Sequence, residues 1–213
     1  MKILVTGGSG FIATYVARHL LENGHKVKIL DLKEPRLQHK NLEYAKKSIL
    51  GKIADEIKGY DSVFHFAALL GVENSDKKPL ETMKINLEGS VNVFKSAIDA
   101  GVKKMIYSSS SEVYGEPREL PIREDSVKGP VSTYGVSKLA AEIYAKAYNQ
   151  EFDTDIRIVR FFNVYGPGQE SNWVVPIFLN KALRNDPITV FGNGNQTRCF
   201  TYVEDIAGGV LKV

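Results

Sequence analysis

The stretch KILVTGGSGFIATYVARHLLENG, residues 2–24, decides the fold. KILVT is a short apolar run with three β-branched residues, the right length for a buried strand and too short for a helix. TGGSG follows at once, and apolar residues then recur at helical spacing as far as Gly24, a stop signal. Gly8, Gly10 and Ala13 fit G-x-G-x-x-G/A. Such a turn must reverse tightly, and its backbone must approach a pyrophosphate with no Cβ in the way. The helix that opens behind it offers free N–H groups and a partial positive charge to phosphates. Glycine-rich turns after strands also arise for geometry alone, so the motif needs context.

The context is the same alternation, carried on. KVKIL (26–30) is predicted as a strand, and residues 42–58 as a weak strand in LEYAKKSIL with a short helix in KIADEIKG. SVFHFAA (62–68) reads as a strand entering a loop, and residues 80–100 as an amphipathic helix closed by Gly101. KKMIYSSS (103–110) is predicted as a strand, 133–151 as a long helix and DIRIVRF (155–161) as a strand. Strands joined through helices run parallel, so the expected fold class is α/β, a doubly wound parallel sheet. Beyond 161 the pattern changes to Gly- and Asn-rich stretches, FFNVYGPGQ and VFGNGNQ, with short elements between them. The expected division is therefore 1–161 and a smaller region, 162–213, on the sheet edge.

Composition excludes several functions. Of 213 residues, 43% are hydrophobic and 25% charged, and the net charge is +3 with Lys and Arg spread along the chain. Nucleic acid is not an expected partner, because no basic stripe stands out. KEPRLQHK (33–40) has no interleaved aromatic and reads as a solvated loop. Cys199 is the single cysteine, which rules out a disulfide within the chain and makes a reducing, cytoplasmic location the default expectation. No hydrophobic run approaches the ~20 residues that span a bilayer, so no membrane partner is expected. The four histidines show no metal-ligand spacing, and His65 reads as a packed, satisfied core residue.

Three features point to chemistry. Asp31 ends the second strand, where a carboxylate accepts hydrogen bonds from adenosine ribose hydroxyls and repels a 2′-phosphate, favouring NAD over NADP. In STYGVSK (132–138), Tyr134 and Lys138 are one helical turn apart on one face. A neighbouring ammonium is expected to pull a phenol down from its ordinary value near ~10 and make it a general base. SSSSEVYG (108–115) leaves a strand at its carboxyl end, the edge where open α/β sheets bind ligands, and a hydroxyl there can align a substrate oxygen.

Together, TGGSGFIA, Asp31, HFAAL, the Asn of INLEGS, SSSSEVYG, Tyr-x-x-x-Lys, RFFNVYGPG and the GNGNQTR run resemble an extended short-chain dehydrogenase/reductase of the NAD-dependent nucleotide-sugar epimerase/dehydratase type. The resemblance covers essentially the whole chain. It implies a Rossmann-like NAD domain over 1–161, with 162–213 as part of a substrate-binding region that stops early relative to the family. It also implies catalytic roles for Ser110, Tyr134 and Lys138, the lysine also holding the nicotinamide ribose. Cofactor contacts are implied at Gly7, Gly10, Phe11, Ile12, Asp31, Ala67, Ala68, Asn86, Ser108 and Phe162. Asn163 and Arg198 match positions that hold nucleotide-sugar phosphates, a task that suits the forked donors of Arg.

The chain departs from the family's pattern at Ser48-Ile49, where an Asp-Ile pair often sits near the adenine, and at Cys199, where an Asp often follows the arginine. Glu112, two residues after Ser110, is expected at the substrate. The Ser111-Glu112 pair stands where 4,6-dehydratases usually have Asp-Glu. The expected activity is an NAD-dependent nucleotide-sugar 4-epimerase of the UDP-glucose/UDP-galactose type, acting through a transient 4-keto sugar. The alternatives are a UDP-glucuronate decarboxylase, a 4,6-dehydratase, or a cofactor binder without turnover. A homodimer through the helices around 81–100 and 133–151 is implied by the same resemblance.

Overall fold

The computed structural model describes the backbone of residues 1–213 and every side chain except those of 72–74. Six strands form one sheet: β1 (Lys2–Thr6), β2 (Lys26–Asp31), β3 (Leu42–Lys46), β4 (Ser62–His65), β5 (Lys104–Ser110) and β6 (Asp155–Phe161). Their order is β3-β2-β1-β4-β5-β6, and every neighbouring pair is parallel. This is the doubly wound sheet expected from the alternation. The order reverses between β1 and β4, which opens a crevice beyond the carboxyl ends of those strands.

The helices are α1 (Phe11–Glu22), α2 (Ala54–Ile57), α3 (Val72–Lys77), α4 (Pro79–Met83), α5 (Gly89–Asp99), α6 (Thr133–Glu151), α7 (Val174–Leu183) and α8 (Val203–Val210). The helix expected over 80–100 is continuous, but a π turn at Lys84–Glu88 joins α4 to α5. One extra residue in that turn rotates Asn86 inward, where it is buried.

Apolar side chains fill both faces of the sheet. On one, Leu4, Val63 and Met105 meet Val93 and Phe94 of α5 and Ala141 and Ala145 of α6. On the other, Val5, Ile29 and Phe64 meet Val16, Ala17 and Leu20 of α1. Ala207 and Val210 of α8 join this second cluster, and Glu204 pairs with Arg18 (2.5 Å) and His19 (2.7 Å) of α1. The last helix is thus packed beside α1 on that face of the sheet.

Between them, β7 (Asn163–Tyr165) and β8 (Phe200–Tyr202) form a two-stranded parallel sheet, with Asn163 opposite Phe200. Helix α7 has no fully buried residue, and every residue from 182 to 200 is exposed.

Candidate active site

The glycine turn is built around Gly7. Its φ is +68°, and a Cβ there would lie 2.5 Å from the Ala67 nitrogen. The tight reversal thus falls one residue before the Gly8 of the sequence motif, and Gly8 packs instead on the Ile29 side chain. Gly10 is the N-cap of α1 and has no side chain to cap it, so the N–H groups of Phe11 and Ile12 open the helix without a side-chain partner. Across the turn, the Asp31 carboxylate accepts from the Ser9 N–H (3.0 Å) and the Lys33 N–H (2.9 Å). An uncapped helix N-terminus beside a carboxylate is a donor and acceptor set suited to a dinucleotide's pyrophosphate and ribose. Ala67 and Ala68 follow β4, and the backbone of Phe66 and Ala67 forms the wall that faces Gly7. Ser48-Ile49 contributes a core side chain: Ile49 is buried against Gly89 of α5.

Three consecutive serines of β5 meet three residues spaced four apart on α6. Ser108 accepts Lys138 Nζ on its carbonyl (2.7 Å). Ser109 Oγ donates to Glu142 Oε1 (2.5 Å). Ser110 hydrogen bonds to the Tyr134 phenol and lowers its pKa. Two devices hold α6 in this register. Ser132 caps it, accepting from the Gly135 N–H (3.0 Å). Gly135 then lets the helix close on the turn after β5, since a Cβ there would lie 2.6 Å from the Glu112 carbonyl. Ser110 also accepts from the Glu112 N–H (3.2 Å), which fixes Glu112 beside the phenol.

The electrostatics differ from the expectation of an ammonium that acidifies a phenol. Burial pushes Tyr134 up to about 12, the Ser110 hydrogen bond pulls the other way, and the Glu112 carboxylate raises it further. Burial also pushes Lys138 down to about 7, against the pull of Glu142. Both groups lie on the buried face of α6 away from water, and desolvation there is the largest cause of each shift. The chain alone therefore holds a protonated phenol and an amine poised near neutrality.

Asn86 is fixed from two sides. Its Oδ1 accepts from the Leu69 N–H (2.7 Å), and its Nδ2 donates to the Leu69 carbonyl (3.1 Å) and to Ser137 Oγ (3.1 Å). It thereby joins the loop after β4 to the helix of Tyr134. Behind it, Ser90 donates to the Asn86 carbonyl (2.6 Å), so His65 Nε2–H donates to Ser90 (2.8 Å) and His65 Nδ1 accepts from Thr6 (2.6 Å). His65 is packed and satisfied, as read from the sequence. Burial, with Lys138 nearby, pushes it down to about 3.

The substrate-side candidates lie at the exit of β6. Ser110 pairs with Phe161, so Phe162 and Asn163 leave the sheet beside the serines. Phe162 stacks on Tyr114 at 6.4 Å. Asn163 Nδ2 donates to the Cys199 carbonyl (3.3 Å), which brings the start of β7 next to Arg198 in sequence. Arg198 itself is exposed and donates to the adjacent Thr197 carbonyl (2.7 Å). The structure thus brings half-buried Ser110 and Glu112 to the buried Tyr134, sets buried Lys138 and Asn86 close behind on the same helix and its neighbour, and leaves Arg198 on an exposed stretch. Sequence reasoning missed Ser109, Ser137, Glu142 and Arg160, although Glu142 repeats the four-residue spacing of Tyr134 and Lys138. Among the described residues, no group of three or more His, Cys, Asp or Glu could hold a metal ion. No helix among them is long and apolar enough to cross a membrane.

Comparison with known proteins agrees with this geometry. The model of the NAD dependent epimerase/dehydratase family matches residues 3–213. A putative UDP-glucose 4-epimerase of Methanocaldococcus jannaschii is 37% identical, over 96% of this chain and 70% of that protein. A UDP-N-acetyl-α-D-glucosaminuronate decarboxylase of Bacillus cytotoxicus is also 37% identical, over 96% of this chain and 68% of that protein. The structure of a UDP-N-acetylglucosamine 4-epimerase from Methanobrevibacter ruminantium, in complex with UDP-N-acetylmuramic acid, superposes with a TM-score of 0.93 at 33% identity, covering 99% of this chain and 71% of that one. Solved relatives hold NAD. The relatives span epimerases and decarboxylases, and the glycine turn, Asp31 and the serine-facing helix fit the cofactor they share: the chain belongs to the NAD-dependent epimerase/dehydratase family of nucleotide-sugar enzymes.

Proposed function

We propose that the chain is an NAD-dependent nucleotide-sugar 4-epimerase of the UDP-glucose/UDP-galactose type. The observation that carries this reading is the convergence of half-buried Ser110 on the buried Tyr134 at the carboxyl edge of the sheet, with Lys138 one helical turn on. Bound NAD would supply a hydride acceptor that later returns the hydride, together with a positive ring charge that favours the Tyr134 phenolate against the effect of burial. In that phenolate form Tyr134 takes the proton of the sugar 4-hydroxyl and gives it back to the 4-keto oxygen. Ser110 holds that oxygen in line, and Lys138 ties the helix of Tyr134 to β5. Gly7, Gly10, Phe11, Ile12 and Asp31 bind the adenosine and pyrophosphate end of the cofactor. Ala67, Ala68, Asn86, Ser108 and Phe162 line its nicotinamide end. Asn163 and Arg198 take the substrate phosphates, with 162–213 as the substrate-side region.

The test is incubation with UDP-glucose or UDP-galactose and no added reductant, followed by proton NMR of the anomeric signals. Interconversion is expected. Absence of interconversion on these and on their N-acetyl counterparts contradicts the reading.

Glu112 favours one second reading. It is a carboxylate beside Tyr134, as a decarboxylation at a second carbon would use, and the Bacillus cytotoxicus relative is named for such a reaction. Carbon dioxide release from UDP-glucuronate distinguishes the two.

A homodimer is proposed through α5 and α6. Their outer face exposes Ile143 and Tyr144 and holds a 370 Å³ groove lined in part by Lys95, Ile98, Tyr144 and Phe152.

A further inference from the structure

Glu142 is buried completely, yet no part of the proposed chemistry uses it. Both its oxygens are engaged. Oε1 accepts from Ser109 Oγ (2.5 Å) and Arg160 Nε (2.8 Å), and Oε2 accepts from Arg160 Nη2 (2.7 Å). Arg160 spends its remaining nitrogen on the Tyr114 hydroxyl (2.8 Å) and the Glu124 carbonyl (3.0 Å). Its guanidinium also lies over the Tyr114 ring, 5.2 Å from the ring centre, and Tyr114 stacks on Phe162. One carboxylate therefore connects the middle serine of β5, the helix of Tyr134 and Lys138, and the strand end that leads to Phe162 and Asn163.

We propose that Glu142, clamped by Arg160, is the positioning residue of this site: it supplies the buried negative charge against which Lys138 is held, and it locks β5, α6 and the β6–β7 exit into one register. The inference rests on the reading of Lys138 as the partner of Tyr134. A buried carboxylate one turn from a buried amine favours the charged amine, while the arginine keeps the carboxylate ionised. The charged and titratable groups that face Glu142 are Arg160 from β6, Tyr107 from β5, Lys128 from the loop before α6, and Lys138 on α6 itself. Of these, Lys138 alone belongs to the proposed catalytic set.

The test reads Lys138 directly, in the chain without substrate, so a negative result on nucleotide sugars leaves it standing. Lysine side chains are labelled with 13C at Cε, and the Lys138 signal is assigned as the one lost in Lys138→Met. Its titration is then followed by NMR. Glu142→Gln keeps the shape and removes the charge, and the Lys138 midpoint is expected to fall by about one pH unit, tenfold in proton affinity. Arg160→Gln removes the charge that keeps the buried carboxylate ionised, so the midpoint is expected to fall here as well. Circular dichroism checks that each variant is folded. A folded variant whose Lys138 midpoint is unchanged, or moves the opposite way, overturns the proposal. Unfolding of both variants reduces the pair to a structural tie and overturns it as well.

Discussion

Lys138 Nζ donates to the Ser108 backbone carbonyl at 2.7 Å, so the lysine anchors α6 to the last residues of β5 through main chain rather than through a side chain. The Ser108 hydroxyl is not part of that anchor. Lys138→Met should lower kcat by about a hundredfold, the scale of a lost acid–base partner. Steady-state kinetics on the nucleotide sugar that turns over checks this.

The close approach at the glycine turn is testable by stability alone. Gly7→Ala introduces a Cβ at 2.5 Å from backbone in a left-handed conformation. Gly59 has a φ of +82° with nothing within 4 Å of a Cβ, so Gly59→Ala carries the conformational cost without the clash. Urea unfolding should give about 1–2 kcal/mol for Gly59→Ala, with about 1–3 kcal/mol more for Gly7→Ala.

Stability should depend on pH through His65 and Lys138. His65 is pushed from 6.5 to about 3, so the unfolded chain binds more protons between those values and stability is lost as pH falls through that window. Lys138 is pushed from 10.5 to about 7, so by the same linkage stability rises with pH between those values. His65→Phe is expected to flatten the acid slope and Lys138→Met the alkaline one, measured as urea midpoints across pH.

Much of this was legible in the residues because it is local. Strand β1, the turn and α1 follow from an apolar run, glycines and helical spacing, and α6 begins and ends where its pattern does. The weak third strand and short helix in 42–58 are β3 and α2. The rest depends on what the fold brings together. Asn86 reaches Leu69 and Ser137 through a π turn that apolar spacing over 80–100 does not reveal. Ser109, Glu142 and Arg160 come from three separate elements, so their buried network has no sequence signature. The Tyr134–Lys138 spacing was readable, but the sign of the Tyr134 shift was not, because it is set by burial under α6.

Asp31 should govern the choice of dinucleotide. Asp31→Ala removes a charged acceptor next to the glycine turn, and NAD affinity is expected to fall about 10–100-fold, the scale of a lost charge-assisted hydrogen bond. Discrimination against NADP should narrow. Calorimetric titration of both dinucleotides measures the two effects.

The role of Tyr134 is tested most directly by Tyr134→Phe, which removes one hydroxyl from a buried ring. With NAD bound, exposure to UDP-glucose or UDP-galactose should build up reduced-nicotinamide absorbance in the unaltered chain. The variant should bind NAD equally well and show neither that signal nor turnover. A folded variant that still reduces its NAD and interconverts the sugars would contradict the account.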